Sequence, residues 1–306
     1  MNRTPGRPPG RRRAPPAVVL LFLSVLTLLV SCGNDYLLVV DPVFETLVAP
    51  GKVGKESIRK QIEETTNRSV GWAPSVSFDG NLGNQIDSIL SSETPTKGVI
   101  LAPLLFNEAP ALASGYPELQ FLLLSEAPDE ASNLMSIRFD RVEAFRDAGN
   151  AAADHLLEAG TSLVLFSHAG GETARRELDA FEEALPPDSV DRRFVYSRAP
   201  ERETIRGQIL SVGEGAYLWA FFLRGNTPFA LDLIASRGDP AVAEDLGPGT
   251  GYGAFVIGSV ERDYVDAIGR GVEALEDRSP GAAPGKSVVV VPATFVSRSG
   301  GFPAYK

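Results

Sequence analysis

Asp35-Tyr36-Leu37-Leu38-Val39-Val40-Asp41 reads as a strand with five consecutive apolar positions between two aspartates. A strand with one wet face alternates apolar and polar residues. An unbroken apolar run fits burial on both faces, the situation of a strand inside a parallel sheet covered by helices. Downstream of it the spacing predicts a loop over 42–54 and a helix near 56–64. Strands then follow at 75–78, 98–101 and 119–124, separated by helices at 84–91 and 105–114. A second series has strands at 134–139, 162–166, 193–196, 217–223 and 241–244, with helices at 141–158, 173–184, 202–212 and 228–236. A strand at 254–258, a helix at 263–276 and a strand at 287–291 close the chain. Strand and helix alternate, with Gly, Pro and polar residues between them, so the fold class is α/β. One sheet of so many strands would strain twist and coverage, which predicts two parallel sheets flanked by helices, in tandem. Such sheets leave a crevice beyond the C-terminal ends of their strands. Two lobes would set two crevices face to face across a hinge.

Upstream of this strand, Arg3, Arg7 and Arg11 to Arg13 precede an almost uncharged stretch from Ala17 to Val30, and Ser31-Cys32 follows. A basic segment, a short apolar core and a small residue before the cut make the plan of a secretory signal peptide. The core is 14 residues long, whereas a membrane-spanning helix needs roughly 20. Leu29-Val30-Ser31-Cys32 resembles a bacterial lipobox, in which the cysteine becomes the first residue and is acylated with palmitate-like chains. The expectation is a signal peptide over 1–31, lipidation at Cys32, and an extracytoplasmic domain held to a membrane by its lipid. Two or more chains anchor firmly where one does so marginally.

The whole chain has 29 basic and 39 acidic residues, a net charge of −10. Loss of the signal segment removes five arginines and no acid, which leaves −15 over 275 residues. So acidic a domain excludes nucleic acid and anionic lipid as its main partners. Cys32 is the only cysteine, so no disulfide staples the fold, and stability rests on a core that 43% hydrophobic residues can build. His155 and His168 are the only histidines, without metal-ligand spacing. Neither a metal nor another cofactor is expected.

Ala111-Leu-Ala113 with Tyr116-Pro-Glu-Leu-Gln-Phe121 is similar to a segment of the basic membrane protein family. These are lipid-anchored, nucleoside-type members of the class I periplasmic solute-binding proteins. Asn133-Leu-Met-Ser-Ile-Arg-Phe139, Glu143-Ala-Phe145, Gly149-Asn-Ala-Ala152, the stretch Gly215 to Leu231, and Asp245 with Pro248-Gly249 and Ile257-Gly-Ser-Val260 resemble further family segments in the same order. The resemblance implies a two-lobed class I periplasmic-binding-protein fold with a hinge. It places 32–131 plus 252–285 in the first lobe, and 132–251 plus 286–306 in the second lobe and hinge strand. It departs from the family in the first loop, where Asp41-Pro-Val-Phe-Glu-Thr46 stands, and at Glu261, where a lysine is usual.

The residues that could contact a ligand follow from both readings. Asp41 ends the first strand and can accept hydrogen bonds there, or cap the next segment, and Phe44 follows in the same loop. Phe106 lies beyond the third strand, where an aromatic can stack on a base or sugar or pack in the core. Asn226 and Thr227 stand where a strand passes into a helix, so they can cap it and also meet a polar group. The resemblance implies that Asp245 grips a sugar hydroxyl pair. Ser167-His168 lacks the setting of a nucleophile, and no paired acid/base or metal constellation stands out, so an enzyme is not expected. Gly51-Lys-Val-Gly-Lys55 fails the phosphate-loop pattern at both ends, and the Gly247–Gly253 stretch reads as a crossover between lobes. The expected function is a lipid-anchored binding protein that captures a nucleoside, or else a sugar, for an ABC transporter permease. The alternative is a ligand sensor or partner-binding lipoprotein on the same scaffold.

Overall fold

All four residues of β1 (Tyr36–Val39) are buried, and parallel neighbours flank it on both sides: β2 (Val70–Trp72) and β3 (Gly98–Leu101). The computed structural model describes residues 33–49, 51–78, 80–246, 252, 255–278 and 287–297. The expected signal segment, Cys32, and all of the Gly247–Gly253 stretch except Tyr252 lie outside these. Beyond β3 the first sheet continues with β4 (Gln120–Leu123), β5 (Leu134–Asp140) and β11 (Ser287–Pro292). Its order is β11-β5-β4-β3-β1-β2, all parallel. The second sheet contains β6 (Ser162–His168), β7 (Val190–Tyr196), β8 (Tyr217–Phe222), β9 (Ala241–Glu244), β10 (Val256–Glu261) and β12 (Thr294–Ser297). Its order is β12-β10-β9-β8-β6-β7, and β12 alone is antiparallel.

Helices cover both sheets. On the first lie α1 (Pro42–Val48), α2 (Gly51–Thr66), α3 (Leu82–Ser92), α4 (Ala109–Gly115) and, from late in the chain, α9 (Tyr264–Glu276). The second carries α5 (Val142–Ala159), α6 (Glu172–Glu183), α7 (Arg202–Ser211) and α8 (Thr227–Ile234). β8 shows why its apolar run is unbroken. Leu218, Ala220 and Phe222 enter one core with Phe145 and Phe181, while Trp219 and Phe221 enter another with Ile205 and Leu231. Successive side chains point to opposite faces, and both faces are dry. Gly149 lets α5 lie against α6, because a Cβ there would stand 2.4 Å from the Phe181 carbonyl oxygen.

The chain crosses between the sheets three times: after β5, after β10 and after β11. The sheets therefore divide it as 36–140 with 264–292, and 142–261 with 294–297, and not at the boundaries the resemblance implied. β5 belongs to the first sheet because Phe121 to Leu123 pair with Leu134 to Ser136. β10 belongs to the second because it pairs with β9. Three local expectations also change. Pro42 to Val48 is helical, because the Asp41 carboxylate accepts from the amides of Val43 and Phe44, both at 2.9 Å, and Pro42 stands in the first turn. The second strand is 70–72 and not 75–78. Past it, Ala73 and Val76 still donate to the Leu38 and Val40 carbonyls, at 3.0 Å each, but Pro74 has no N–H to extend the ladder. Finally, the helix expected over 105–114 is a short turn at Pro103–Leu105 followed by α4. No helix among the described residues is long and apolar enough to cross a membrane.

Candidate functional site

Both sheets point the C-terminal ends of their parallel strands toward the crossings, and the sequence-selected residues lie at these ends. Asp41 is fully buried. One carboxylate oxygen caps α1, and the other has no hydrogen-bond partner. Burial raises its pKa, and the amides of Phe44, Val43 and Leu104 offset part of the rise. Phe44 is buried as well, edge-on to Tyr264 at 5.0 Å between ring centres. Phe106 follows the short turn after β3 and remains exposed. Val43, Phe78 and Leu104, which follow β1, β2 and β3, are exposed as well, so this lobe presents apolar side chains beyond its strand ends.

The second lobe presents charge. Arg141 is the first residue after β5. It is buried and ion-paired to Glu244, the last residue of β9, with Glu177 of α6 at 3.8 Å. Its guanidinium also lies 4.9 Å from the Phe145 ring centre. Arg262 is the first residue after β10, and it grips Asp245 with Nε at 2.9 Å and Nη2 at 2.5 Å. The same guanidinium lies 5.9 Å from the Phe139 ring and 5.8 Å from the Tyr264 ring. Two crossings are thus pinned to consecutive acids at the end of one strand. Burial works against the Asp245 carboxylate, but Arg262, Arg141 and Arg224 outweigh it and hold its pKa below the usual value. Glu177 goes the other way, raised by burial that Arg141 only partly offsets. Tyr264 is pushed up to about 12 by burial, against the pull of Arg262.

Asp245 and Arg224 both hold left-handed backbone, with φ of 51° and 55°. Arg224 donates its amide to Glu244 at 2.5 Å, which links the turn after β8 to the same acid that holds Arg141. Asn226 does not cap α8; its side-chain amide donates to the Pro200 carbonyl at 3.0 Å. Thr227 is fully buried, accepting from the Leu223 amide at 3.1 Å and donating to the Phe221 carbonyl at 3.4 Å. Both residues shape the strand-to-helix turn.

A cavity of about 350 Å³ lies between the lobes at the crossings. The first lobe contributes Leu47, Val48, Ile58 and Gln61 from α1 and α2, with Tyr264 and Val265 of α9. Opposite stand Asp245, Glu261, Thr294 and Val296, and Arg262 and Asp263 of the crossing complete the lining. Of the six ligand-contact residues selected from the sequence, Asp245 alone lines it. Arg141, Glu177, Glu244, Arg262 and Tyr264 were not selected. Their one sequence signal is an arginine directly after a strand, twice, and an acidic pair where a third strand ends. Among the described residues no group of three or more His, Cys, Asp or Glu is placed to hold a metal ion.

No protein-family model and no curated protein sequence matches the chain. Solved structures match it at the level of fold. An ABC transporter solute-binding protein from Aeropyrum pernix K1 is 15% identical, with a TM-score of 0.57 over 86% of this chain and 75% of that one. A periplasmic ribose ABC transporter protein from Conexibacter woesei is 15% identical, with a TM-score of 0.54 over 87% of this chain and 92% of that one. A transcriptional activator of the comK gene from Bacillus halodurans is 14% identical, with a TM-score of 0.56 over 85% and 88% of the two chains. The class these define is the class I periplasmic-binding-protein fold: two lobes, each a mostly parallel sheet flanked by helices. Transporter components and gene regulators share it, so the fold alone does not choose between them.

Proposed function

We propose that the protein is a solute-binding protein, which captures a small molecule between its lobes and delivers it to an ABC-type permease. The single observation that carries this reading is the cavity of about 350 Å³ walled by both lobes at their crossings. Its size falls in the range of small-molecule sites. A solute that touches both walls favours the closed arrangement by the contacts available only there. The likeness in fold to transporter solute-binding proteins supports the reading. The sequence resemblance to the basic membrane protein family makes nucleosides the first solutes to test and sugars the second. In this proposal Asp245 meets the solute beside Arg262, Phe106 belongs to the open rim, and Asp41, Phe44, Asn226 and Thr227 hold the strand ends in shape. The lipobox-like Leu29 to Cys32 supports an extracytoplasmic, lipid-anchored location.

A second reading, a ligand-responsive sensor without a transport role, is favoured by the equal likeness to a transcriptional activator. Thermal unfolding of the full chain against nucleosides, nucleobases and sugars tests whether the cavity binds at all. A solute at a hundredfold over its Kd adds about 2.7 kcal/mol. A shift that disappears in Gln61→Trp, which fills the cavity from an exposed helix position, supports capture at this site. A shift unaffected by Gln61→Trp moves the binding site elsewhere.

A further inference from the structure

The first sheet begins almost at the lipobox-like cysteine. Asn34 and Asp35 stand two and three positions after Cys32, and both are already bonded into the sheet's end. The Asn34 carbonyl accepts from the Thr96 amide at 3.0 Å, and the Asp35 carbonyl accepts from the Lys97 and Gly98 amides at 2.9 and 3.2 Å. The Asp35 amide donates to the Ser69 hydroxyl at 2.9 Å, and its carboxylate accepts from the Ser69 amide at 3.1 Å. Gly33 is therefore the whole tether. A chain extends at most ~3.6 Å per residue, so one intervening residue allows about 7 Å of reach. The strands of this sheet are parallel, so the starts of β1 to β4 lie side by side at the end opposite the crossings. Tyr36 pairs with Val70 and Gly98, and Gly98 with Gln120. The turns leading into β2, β3 and β4, residues 67–69, 94–97 and 116–119, contain none of the exposed large apolar side chains. Arg68 and Lys97 in these turns are both ion-paired to Glu276, at 2.5 and 2.9 Å.

Resting on the lipid-anchored reading above, we propose that this end is a membrane-contact face: acylated Cys32 seats these turns on the lipid headgroups and stands the molecule upright. With no large apolar side chain to insert and both cations paired, the face rests on the surface while the lipid supplies the hold. β1 is an interior strand under helices on both faces. Tipping the molecule onto either face would put a helix layer about 10 Å thick between β1 and the lipid, more than the tether spans. Seven residues of extended chain run from Asn34 to Asp41, which sets the crossings and their cavity roughly 23 Å above the headgroups. α5 starts at a crossing and runs 18 residues outward, which carries its far end about 27 Å higher. A permease that meets both lobes must then itself rise well beyond the membrane surface.

The test places the acylated full chain in phosphatidylethanolamine–phosphatidylglycerol vesicles that contain an acceptor-labelled lipid. A donor dye sits on one introduced cysteine, since acylation occupies the Cys32 thiol. Three exposed positions sample the height: Glu118→Cys before β4, Phe106→Cys past β3 and Leu157→Cys late in α5. Energy transfer to the lipid should fall in that order, by about twofold or more over the roughly 50 Å between the first and the last. High salt should leave the gradient in place, because charge does not hold the face down. About twenty Gly and Ser residues inserted after Gly33 lengthen the tether to roughly 25 Å and should erase the gradient. Equal or reversed transfer in the acylated chain would overturn the upright placement and leave the lipid-anchored reading standing. A gradient that survives the insertion would do the same. A chain whose Cys32 carries no acyl group by mass spectrometry would overturn both.

Discussion

Asp41 and Asp245 each stand just beyond the C-terminal end of an interior strand, β1 in the first sheet and β9 in the second, and their surroundings are opposite. Asp41 is buried among backbone amides, with one oxygen unpartnered, and its pKa is raised. Asp245 lies under three arginines and its pKa is lowered. The same residue type just past the end of an interior parallel strand caps a helix in one lobe and anchors a hinge arginine in the other. The difference extends to the strand ends as a whole: exposed aliphatic and aromatic side chains on the first lobe, a buried ion network on the second. Position at a strand end is therefore a poor guide to ligand contact until the neighbouring charges are known. Here only the second aspartate lines the cavity.

The sharpest way to break this contrast is to remove the acid shared by the second lobe's network. Glu244→Ala leaves Arg141 buried beside the weakly placed Glu177 and takes the acceptor from the Arg224 amide. Losing one partner of a buried pair should cost about 3–5 kcal/mol in urea unfolding. The triple variant Arg141→Met, Glu177→Gln, Glu244→Gln should recover part of that loss, since no charge of the network is left without its partner and a glutamine can still accept from the Arg224 amide. A single-variant loss within experimental error would mean the network is not what ties the crossings to β9.

Next in size is a pair of pH profiles with opposite sign. The depressed pKa of Asp245 contributes stability that is present above its ordinary value of 3.8 and lost as pH falls through its lower folded value. The raised pKa of Asp41 contributes stability that is full below 3.8 and lost as pH rises through its higher folded value. Asp245→Asn should therefore lower stability at neutral pH by about 3 kcal/mol, a difference that narrows in acid. Asp41→Asn should instead grow more favourable, relative to the parent, as pH rises past 4. Unfolding midpoints across pH 2 to 7 for both variants decide the matter, and profiles of the same sign would erase the contrast.

Smaller effects sharpen it. Asp41→Ala removes the cap of α1 and should destabilise by about 1 kcal/mol, more than Asp41→Asn does at neutral pH. At the exposed rim, Phe106→Ser should change stability by no more than about 0.5 kcal/mol, in contrast to any substitution in the ion network.

Much of the architecture is legible in the sequence because unbroken apolar runs such as Leu37 to Val40 and Leu218 to Phe222 can be read locally. Membership of a sheet is not local. β5 and β10 look like neighbouring strands on either side, and only their pairing with β4 and β9 assigns them. β12 is four residues long and mostly exposed, so no apolar run announces it. The start of α1 is legible, since an aspartate followed by proline is a helix-start signal, although the spacing downstream predicts a loop over 42–54. Asp245 stands out in the sequence as a residue, but its pairing with Arg262 does not. Arg262 is 17 positions away, and Arg141 meets Glu244 across 103 positions. Charge pairing at such separations leaves no period in the sequence.

Closure of the two lobes on a solute is best measured directly, by electron–electron distance spectroscopy between spin labels on the exposed positions Ser91→Cys and Leu157→Cys in a Cys32→Ser chain. One label rides on α3 of the first lobe and the other on α5 of the second. A solute that raises the unfolding temperature should shift the distance distribution to a single, distinct population. A distribution unchanged while that solute is bound would contradict capture by lobe closure.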